Sequence, residues 1–389
     1  MPSTLTIGGK TVQDITIGAK QVKSIYDNTN QVLLWEKTTP NYLCFTDASG
    51  SSNTLTLTKY NTNGQAPTTN LEYSIDKVNW NTWVETNNVR SYTIPANGKV
   101  YLRGDNTAFG YGDNTTDYHN FSSTGNINAS GDLMTLLDKS GNLRTVGVAA
   151  FRQIFRNWSN LKTPPSISAT IAGRLSFNNA FSYSGITSSP EIFVTETTGQ
   201  SSFYQAFYHC ESLVNAGAIH TTDLTNAHTF SETFYYCTAL VKAPSFTLNS
   251  INGGTNHCMY MFRRCTNLTN VSALKLNATS LGVASYRGMF FDCKNLVTPP
   301  EIMATALSDG NGDAANGSLA QMFCNCTKLA SIKVHFTSWN SGNYTRNWTH
   351  GTKSSGTFYK PSSLPSTKNT SGNTTNPHYI PYNWSVSNI

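Results

Sequence analysis

The stretch FYQAFYHCESLVNAGAI, residues 203–219, decides how the chain is read. Phe203, Phe207 and Cys210 are spaced i, i+4 and i+7, which puts them on one face of a short helix. Leu213 follows, and an apolar, extended-looking segment ends at Ile219. The pattern returns at Phe230, Phe234, Cys237 and Leu240, and at Cys258, Phe262, Cys265 and Leu268. It appears again at Tyr286, Phe290, Cys293 and Leu296, and at Leu319, Phe323, Cys326 and Leu329. Two degenerate copies come first, Phe151–Phe155–Trp158–Leu161 and Phe177–Phe181–Ser184–Ile186. The second Phe falls at 155, 181, 207, 234, 262, 290 and 323, in steps of 26, 26, 27, 28, 28 and 33. A repeat of that length, seven times over, predicts a solenoid.

The whole chain of 389 residues has room for two or three domains, with 12% charged and 12% aromatic residues. Few charges among abundant Asn, Thr, Ser and Gly describe a hydrogen-bonding surface, and the aromatic content argues against disorder. The net charge is +6, and its Lys and Arg are scattered, with only Arg263 and Arg264 adjacent. No nucleic-acid partner is expected from that distribution. The opening MPSTLTIGGKTVQDI has no basic n-region and no apolar h-region, and no run approaches 18 apolar residues. Synthesis in a host cytoplasm without a signal peptide, and no membrane insertion, are expected.

Five of the eight cysteines share one phase of the repeat: Cys210, Cys237, Cys265, Cys293 and Cys326. They read as small buried apolar residues with free thiols, the alternative being disulfides between adjacent rungs. With Phe207, Phe234, Phe262, Phe290 and Phe323 they form the predicted core ladder.

The expected architecture is a β-rich multidomain chain with N-terminal β modules, a hairpin meander plus a β-sandwich, followed by an α/β solenoid. Residues 1–38 alternate apolar and polar residues between Gly8-Gly9, Gly18-Ala19 and Asp27-Asn28, which predicts a meander of hairpins that anchors the chain to a partner, the plainer reading being an edge of the next domain. Residues 39–108 carry strand-like runs at Tyr42–Thr46, Thr54–Tyr60, Leu71–Ile75, Val89–Ile94 and Lys99–Arg103, an immunoglobulin-like sandwich in size. Residues 109–146 read as a linker and N-terminal cap, with Leu133, Met134, Leu136 and Leu137 covering the first repeat. Residues 147–338 hold about seven repeats, each a short helix, a bend and a strand. Strands ~4.8 Å apart on one side and helices ~8–10 Å apart on the other predict a bend with the strands on the concave side. Residues 339–389 read as a C-terminal cap and tail.

The segments FYYCTALVKAPSF (234–246) and FFDCKNLVTPPEI (290–302) follow F-x-x-C-x-x-L-x-x-x-P-x-I/L/F. This text resembles the BspA-like leucine-rich repeats, found in surface proteins of gut Bacteroidetes and in proteins of their phages. The ending GTFYK…IPYNWSV is similar to sequences that close such arrays, and the opening TIGGK/TIGAK with VKSIYD resembles N-terminal modules of phage structural proteins. The resemblance implies adhesion and recognition, not catalysis.

The search for chemistry is short. G-x-S-x-G, P-loop, dinucleotide and HExxH motifs are absent. His209 beside Cys210 and His257 beside Cys258 are adjacent in sequence, so they point in different directions and make poor nucleophile–base pairs. Cys324-Asn325-Cys326 has the wrong spacing for a zinc clip. Asp309, Asn311 and Asp313 place oxygens at alternate positions, as calcium loops do, but Ala320 stands where a twelfth-position Glu belongs. A plain turn-rich loop and a weak calcium site are both open there, and no other metal, no cofactor and no catalytic residue is expected. Binding is the remaining chemistry. The position after the second Phe runs Arg156, Ser182, Tyr208, Tyr235, Arg263, Phe291, Cys324, with Tyr236 and Arg264 beside it. Tyr208, Tyr235, Tyr236, Arg263 and Arg264 are therefore the candidate binding residues, against the plainer reading that they cover the core. The function expected is a phage virion fibre, on head or tail. Its N-terminal region would meet other virion proteins, its repeats a host surface protein or polysaccharide, and it would form a homo-oligomer, a trimer or dimer. A bacterial surface adhesin is the alternative; a particle-borne degradative enzyme comes third.

Overall fold

The computed structural model describes residues 6–7, 10–11, 15–17, 20–22, 24–27, 32–36, 40–112, 116–221, 223–251, 255–308, 310, 314–339, 343–371 and 378–389, with side chains from 40 onward except those of Asp223, Ala314 and Asn343. Two compact units are present, 1–41 and 42–389.

The first unit contains three antiparallel pairs: Thr6–Ile7 with Lys10–Thr11, Ile15–Ile17 with Lys20–Val22, and Ser24–Asp27 with Val32–Glu36. The expected hairpins are there. Each is a separate two-stranded sheet, so the described residues do not join them into a meander.

The second unit opens with two sheets. A six-stranded sheet runs Asn81–Thr82, Leu71–Ser74, Lys99–Gly104, Leu43–Asp47, Ile127–Ser130, Leu161–Thr163. A three-stranded sheet runs Val89–Ile94, Asn53–Asn61, Asp117–Ser123. The five strands expected from alternation all form. Segment 109–146 is more than a linker, because Asp117–Ser123 and Ile127–Ser130 complete one sheet each. Phe45 of the larger sheet lies 5.2 Å from Phe121 of the smaller, and Trp83 is 6.3 Å from Phe121. The last pairing of the larger sheet is parallel, Ile127–Ser130 with Leu161–Thr163, and that strand belongs to the first repeat. The sheets therefore run directly into the solenoid. The short 3₁₀ turn Leu133–Leu136 is fully buried there and is capped by Asp132, whose carboxylate accepts from the Met134 amide.

The solenoid has about eight turns, and among the described residues it contains no α-helix. The expected helix of each repeat is instead a flat ribbon of successive turns. Every fourth residue has a left-handed backbone: Ser201, Gln205 and His209 in one rung, His228, Glu232 and Tyr236 in the next, Asn256, Tyr260 and Arg264 after that. A left-handed residue at that spacing stops a right-handed helix from propagating. The amides then alternate in their partners. Phe203, Gln205, Phe207 and His209 donate to Thr229, Ser231, Thr233 and Tyr235 of the following rung. Tyr204, Ala206, Tyr208 and Cys210 donate three residues back, to Ser201, Phe203, Gln205 and Phe207. Every amide from Phe203 to Cys210 is thus bonded, so this ribbon meets the backbone requirement by stacking.

Two residues in and two out give each ribbon its burial pattern. Phe203, Ala206, Phe207 and Cys210 are buried; Tyr204, Gln205, Tyr208 and His209 are half-exposed. These buried positions are i, i+3, i+4 and i+7, the same set that an amphipathic helix buries. The ribbon faces stack closely. Phe155, Phe181, Phe207, Phe234, Phe262, Phe290 and Phe323 follow at centroid distances of 5.0, 5.3, 5.3, 5.5, 5.7 and 5.9 Å. That is near the spacing of hydrogen-bonded strands. The wide helix side that was to bend the stack is absent, so the premise of the expected curvature does not hold. Behind the ribbon, short parallel strands and bridges align Ile192, Ile219, Phe246 and Leu274, all buried. Leu213, Leu240, Leu268, Leu296 and Leu329 form a further buried column.

Both ends of the ribbon stack are covered. Phe121 packs on Phe155 at 5.7 Å, and the Phe121 amide donates to Ile154 of the first ribbon. At the other end segment 339–389 supplies an eighth ribbon. Its Phe and Cys slots hold Thr349 and Thr352, while Trp348 caps Phe323 at 6.3 Å.

Candidate functional site

All eight cysteines are free and buried. In the ladder each thiol donates to the carbonyl of the second Phe one rung earlier. Cys210 reaches Phe181 at 3.0 Å, Cys237 Phe207 at 3.1 Å, Cys265 Phe234 at 3.0 Å, Cys293 Phe262 at 3.1 Å and Cys326 Phe290 at 3.0 Å. Burial pushes the Cys210 thiol up to about 12 and raises the others of the ladder further. These are packed thiols holding a proton in a hydrogen bond, and a thiolate nucleophile is strongly disfavoured. Neither His–Cys neighbour forms a dyad. His209 faces outward with Nδ1 3.2 Å from Glu211 Oε1, and Cys210 faces the core. His257 is buried with no hydrogen-bonding partner on either ring nitrogen among the described residues, and burial pulls it down to about 4.

The outward half of the ribbon brings all five expected binding residues together. In the column after the second Phe, Tyr208 and Tyr235 stack at 4.9 Å. The Arg263 guanidinium comes next, 5.4 Å from the Tyr235 ring and 4.5 Å from Phe291. One residue later runs a parallel column that only Tyr236 and Arg264 announced in the sequence. Tyr183 stacks on His209 at 4.9 Å, and His209 on Tyr236 at 4.2 Å. Arg264 lies 5.6 Å from the Tyr236 ring and pairs with Asp292 at 3.3 Å. Asn325 donates to the other oxygen of Asp292 at 2.9 Å. A third column begins two residues before the Phe. Glu232 accepts from Gln205 at 2.9 Å and from the Tyr204 hydroxyl at 3.4 Å. One edge of the Tyr260 ring fills the space beside Gly288, where an added Cβ would come within 2.2 Å of the ring, and its hydroxyl reaches Gln321 two rungs on at 3.2 Å.

Tyr183, His209, Tyr260 and Asp292 were not foreseen as part of this face. For Tyr183, His209 and Asp292 the signal was available, since they occupy the same ribbon slot as Tyr236 and Arg264; Tyr260 stands in a slot with no named neighbour. Stacking has a chemical consequence. Most ring faces are spent on one another, so the surface presents ring edges, hydroxyls and guanidinium nitrogens. Burial, with Tyr183 and Tyr235 adding, pushes the Tyr208 hydroxyl up to about 12, so it remains a neutral donor.

Other expectations lie elsewhere. Asp309, Asn311 and Asp313 are outside the described residues. Cys324 belongs to the outer column and Cys326 to the core, so the two do not converge on one point. No group of three metal-ligating side chains occurs among the described residues, and no helix there is long and apolar enough to cross a membrane. A pocket of about 400 Å³ beside the larger sheet is lined by Glu72, Glu85 and Asp105. Each is ion-paired, with Arg103, Arg90 and Lys139 respectively.

No family model, no curated protein and no solved structure matches this chain.

Proposed function

We propose that this chain is a virion fibre protein of a phage whose host is of the gut Bacteroidetes type. Its N-terminal hairpins would dock on other virion proteins, and its solenoid would adhere to a host surface protein or polysaccharide. One observation carries the adhesive reading. Consecutive rungs hold Tyr208, Tyr235, Tyr236, Arg263 and Arg264 stacked from rung to rung on one half-exposed face. Rigid aromatic and guanidinium groups at fixed spacing are what binding hot spots use. The text resemblance to BspA-like repeats supplies the phage and adhesion context. The buried leucine column fits that kinship. The aromatic contacts between the two opening sheets fit the β-sandwich proposed for that region. Oligomerisation, as dimer or trimer, belongs to the same proposal.

The test has two arms. Fluorescently labelled full chain is offered to a panel of bacterial cells and to a glycan array, and purified particles are analysed by mass spectrometry. Saturable binding to a cell or glycan class, with the chain present in particles, is expected. Absence from particles overturns the virion assignment, and absence of binding to any surface overturns the adhesive one.

A further inference from the structure

Arg263 stands apart from the other arginines. Arg90, Arg103 and Arg264 each hold a carboxylate, and Arg287 donates to Asn316 at 2.8 Å. Among the described residues Arg263 alone has a guanidinium with no hydrogen bond and no ion pair, and its Nε is buried without a partner. Aromatic rings surround it instead: Tyr235 at 5.4 Å, Tyr260 at 4.7 Å and Phe291 at 4.5 Å from Cζ. The residue is half-buried, so its charge is partly desolvated, and no carboxylate among the described residues pairs with it. Arg264 is one residue away and Arg287 shares the Tyr260 ring at 5.4 Å, so the local field is positive. The nearby carboxylate of Asp292 is already engaged by Arg264 and Asn325.

A guanidinium clamped by rings is fixed in orientation, and its fork of N–H donors matches a planar or tetrahedral oxyanion at two points. The tyrosine edges on either side add donors for the hydroxyls around such a group. We propose that Arg263 is the anion-reading centre of the outer face, and that its ligand is the carboxylate or sulfate of an acidic polysaccharide. This rests on the adhesive reading above and narrows the ligand class.

The experiment titrates the full-length chain with polygalacturonate, with dextran sulfate and with unmodified dextran, by biolayer interferometry. Wild-type protein should bind at least one acidic polymer about tenfold more tightly than dextran. Arg263→Gln should lower that affinity about tenfold, and Arg263→Lys should fall between, because a lysine keeps the charge and loses the fork. Arg144→Gln, an exposed arginine ahead of the first ribbon whose guanidinium donates to the Gly141 and Leu143 carbonyls, should change binding less than about threefold. Preference for polygalacturonate or for dextran sulfate assigns the carboxylate or the sulfate. Near-ultraviolet circular dichroism checks that each variant keeps the native packing. Should Arg263→Gln not fold, Arg263→Lys together with loss of wild-type binding at raised ionic strength decides the matter. The proposal is overturned if wild type shows no preference for acidic polymers, or if Arg263→Gln binds them as wild type does. Cell or neutral-glycan binding that persists in Arg263→Gln leaves adhesion standing while this proposal falls. Binding to no surface at all removes both.

Discussion

The two sides of the turn ribbon share one backbone and differ in everything else. Inward, the slots repeat the same residues: Phe at 207, 234, 262, 290 and 323, then Cys three residues on. Outward, the slot beside them runs Tyr183, His209, Tyr236, Arg264, Asp292, Asn325, with hardly a residue used twice. Yet the outer side chains also contact their neighbours rung by rung, through rings, a guanidinium and an ion pair. Inter-rung hydrogen bonds set the register near 5 Å for both sides. Burial then restricts the inner side to shapes that fill space, while the outer side is free to vary provided each residue can lie flat on the next. Residue type repeats from rung to rung inside and varies outside.

The sharpest way to break this contrast is to empty one inner slot. Phe262→Ala removes a ring stacked on Phe234 and Phe290 at full burial and should cost about 3–5 kcal/mol in urea unfolding. A loss below about 1 kcal/mol would mean that the inner column is not the core. Next comes Gly288→Ala. Gly288 has φ +54° and no space for a Cβ against Tyr260. Strain together with the displaced ring should cost about 2 kcal/mol or more, visible as a lower melting temperature. An unchanged melt would contradict the close contact of Tyr260 with Gly288.

Acid sharpens the comparison, because His257 stands in an inner slot that other rungs fill with Ser176, Ser202, Ser285 or Ser318. Burial pulls His257 and His119 from 6.5 down to about 4. A depressed histidine means that the unfolded chain takes up protons first. Its contribution is therefore fully present above pH ~6.5 and is lost as pH falls toward 4, by on the order of 2 kcal/mol per group. His257→Ser should flatten that loss; an unchanged pH profile would argue that the imidazole is solvated. Asp47, held at about 2 first by the Asn97 amide and then by Ser49, adds a further loss as pH falls from about 4 through 2.

A smaller effect is expected from Cys265→Ala. The Phe234 carbonyl keeps the Cys237 amide and loses only the thiol, so about 1 kcal/mol should be lost. In the native protein the ladder thiols should stay unreactive toward a thiol reagent until urea opens the fold, and rapid labelling would contradict their burial. Smallest of all are the outer substitutions. Tyr235→Ser should cost about 1 kcal/mol or less in stability, from a half-exposed stack.

Much of this arrangement was legible in the sequence. Seven of the eight ribbon positions, the Phe and Cys columns, the free thiols, five of the nine strands of the opening sheets and the outer stripe all follow from period and alternation. The ribbon itself was not, for a geometric reason. Buried positions at i, i+3, i+4 and i+7 suit a helix and this ribbon equally, and only the left-handed residue at every fourth place separates them. Asn157, Asn179, Asn256, Asp292 and Asn325 hold such places and favour that backbone. Tyr183, His209, Glu232, Tyr236 and Arg264 occupy the same places in other rungs and conceal it. The eighth ribbon was hidden because Thr349 and Thr352 replace the aromatic and the cysteine. Beyond Tyr236 and Arg264 the second outer column was missed, because its heterogeneity leaves no residue type to repeat.

The central claim is that the inner side builds the fold and the outer side binds. One protein tests it directly, the full chain carrying Tyr208→Ser, Tyr235→Ser, Arg263→Gln and Arg264→Gln together. Its thermal melt and its binding to the surface that wild type recognises are measured side by side. The account predicts a melting temperature within about 10 °C of wild type, since each change removes only an exposed or half-exposed contact, and binding reduced at least about a hundredfold. Binding that survives the four changes in a folded protein would contradict it.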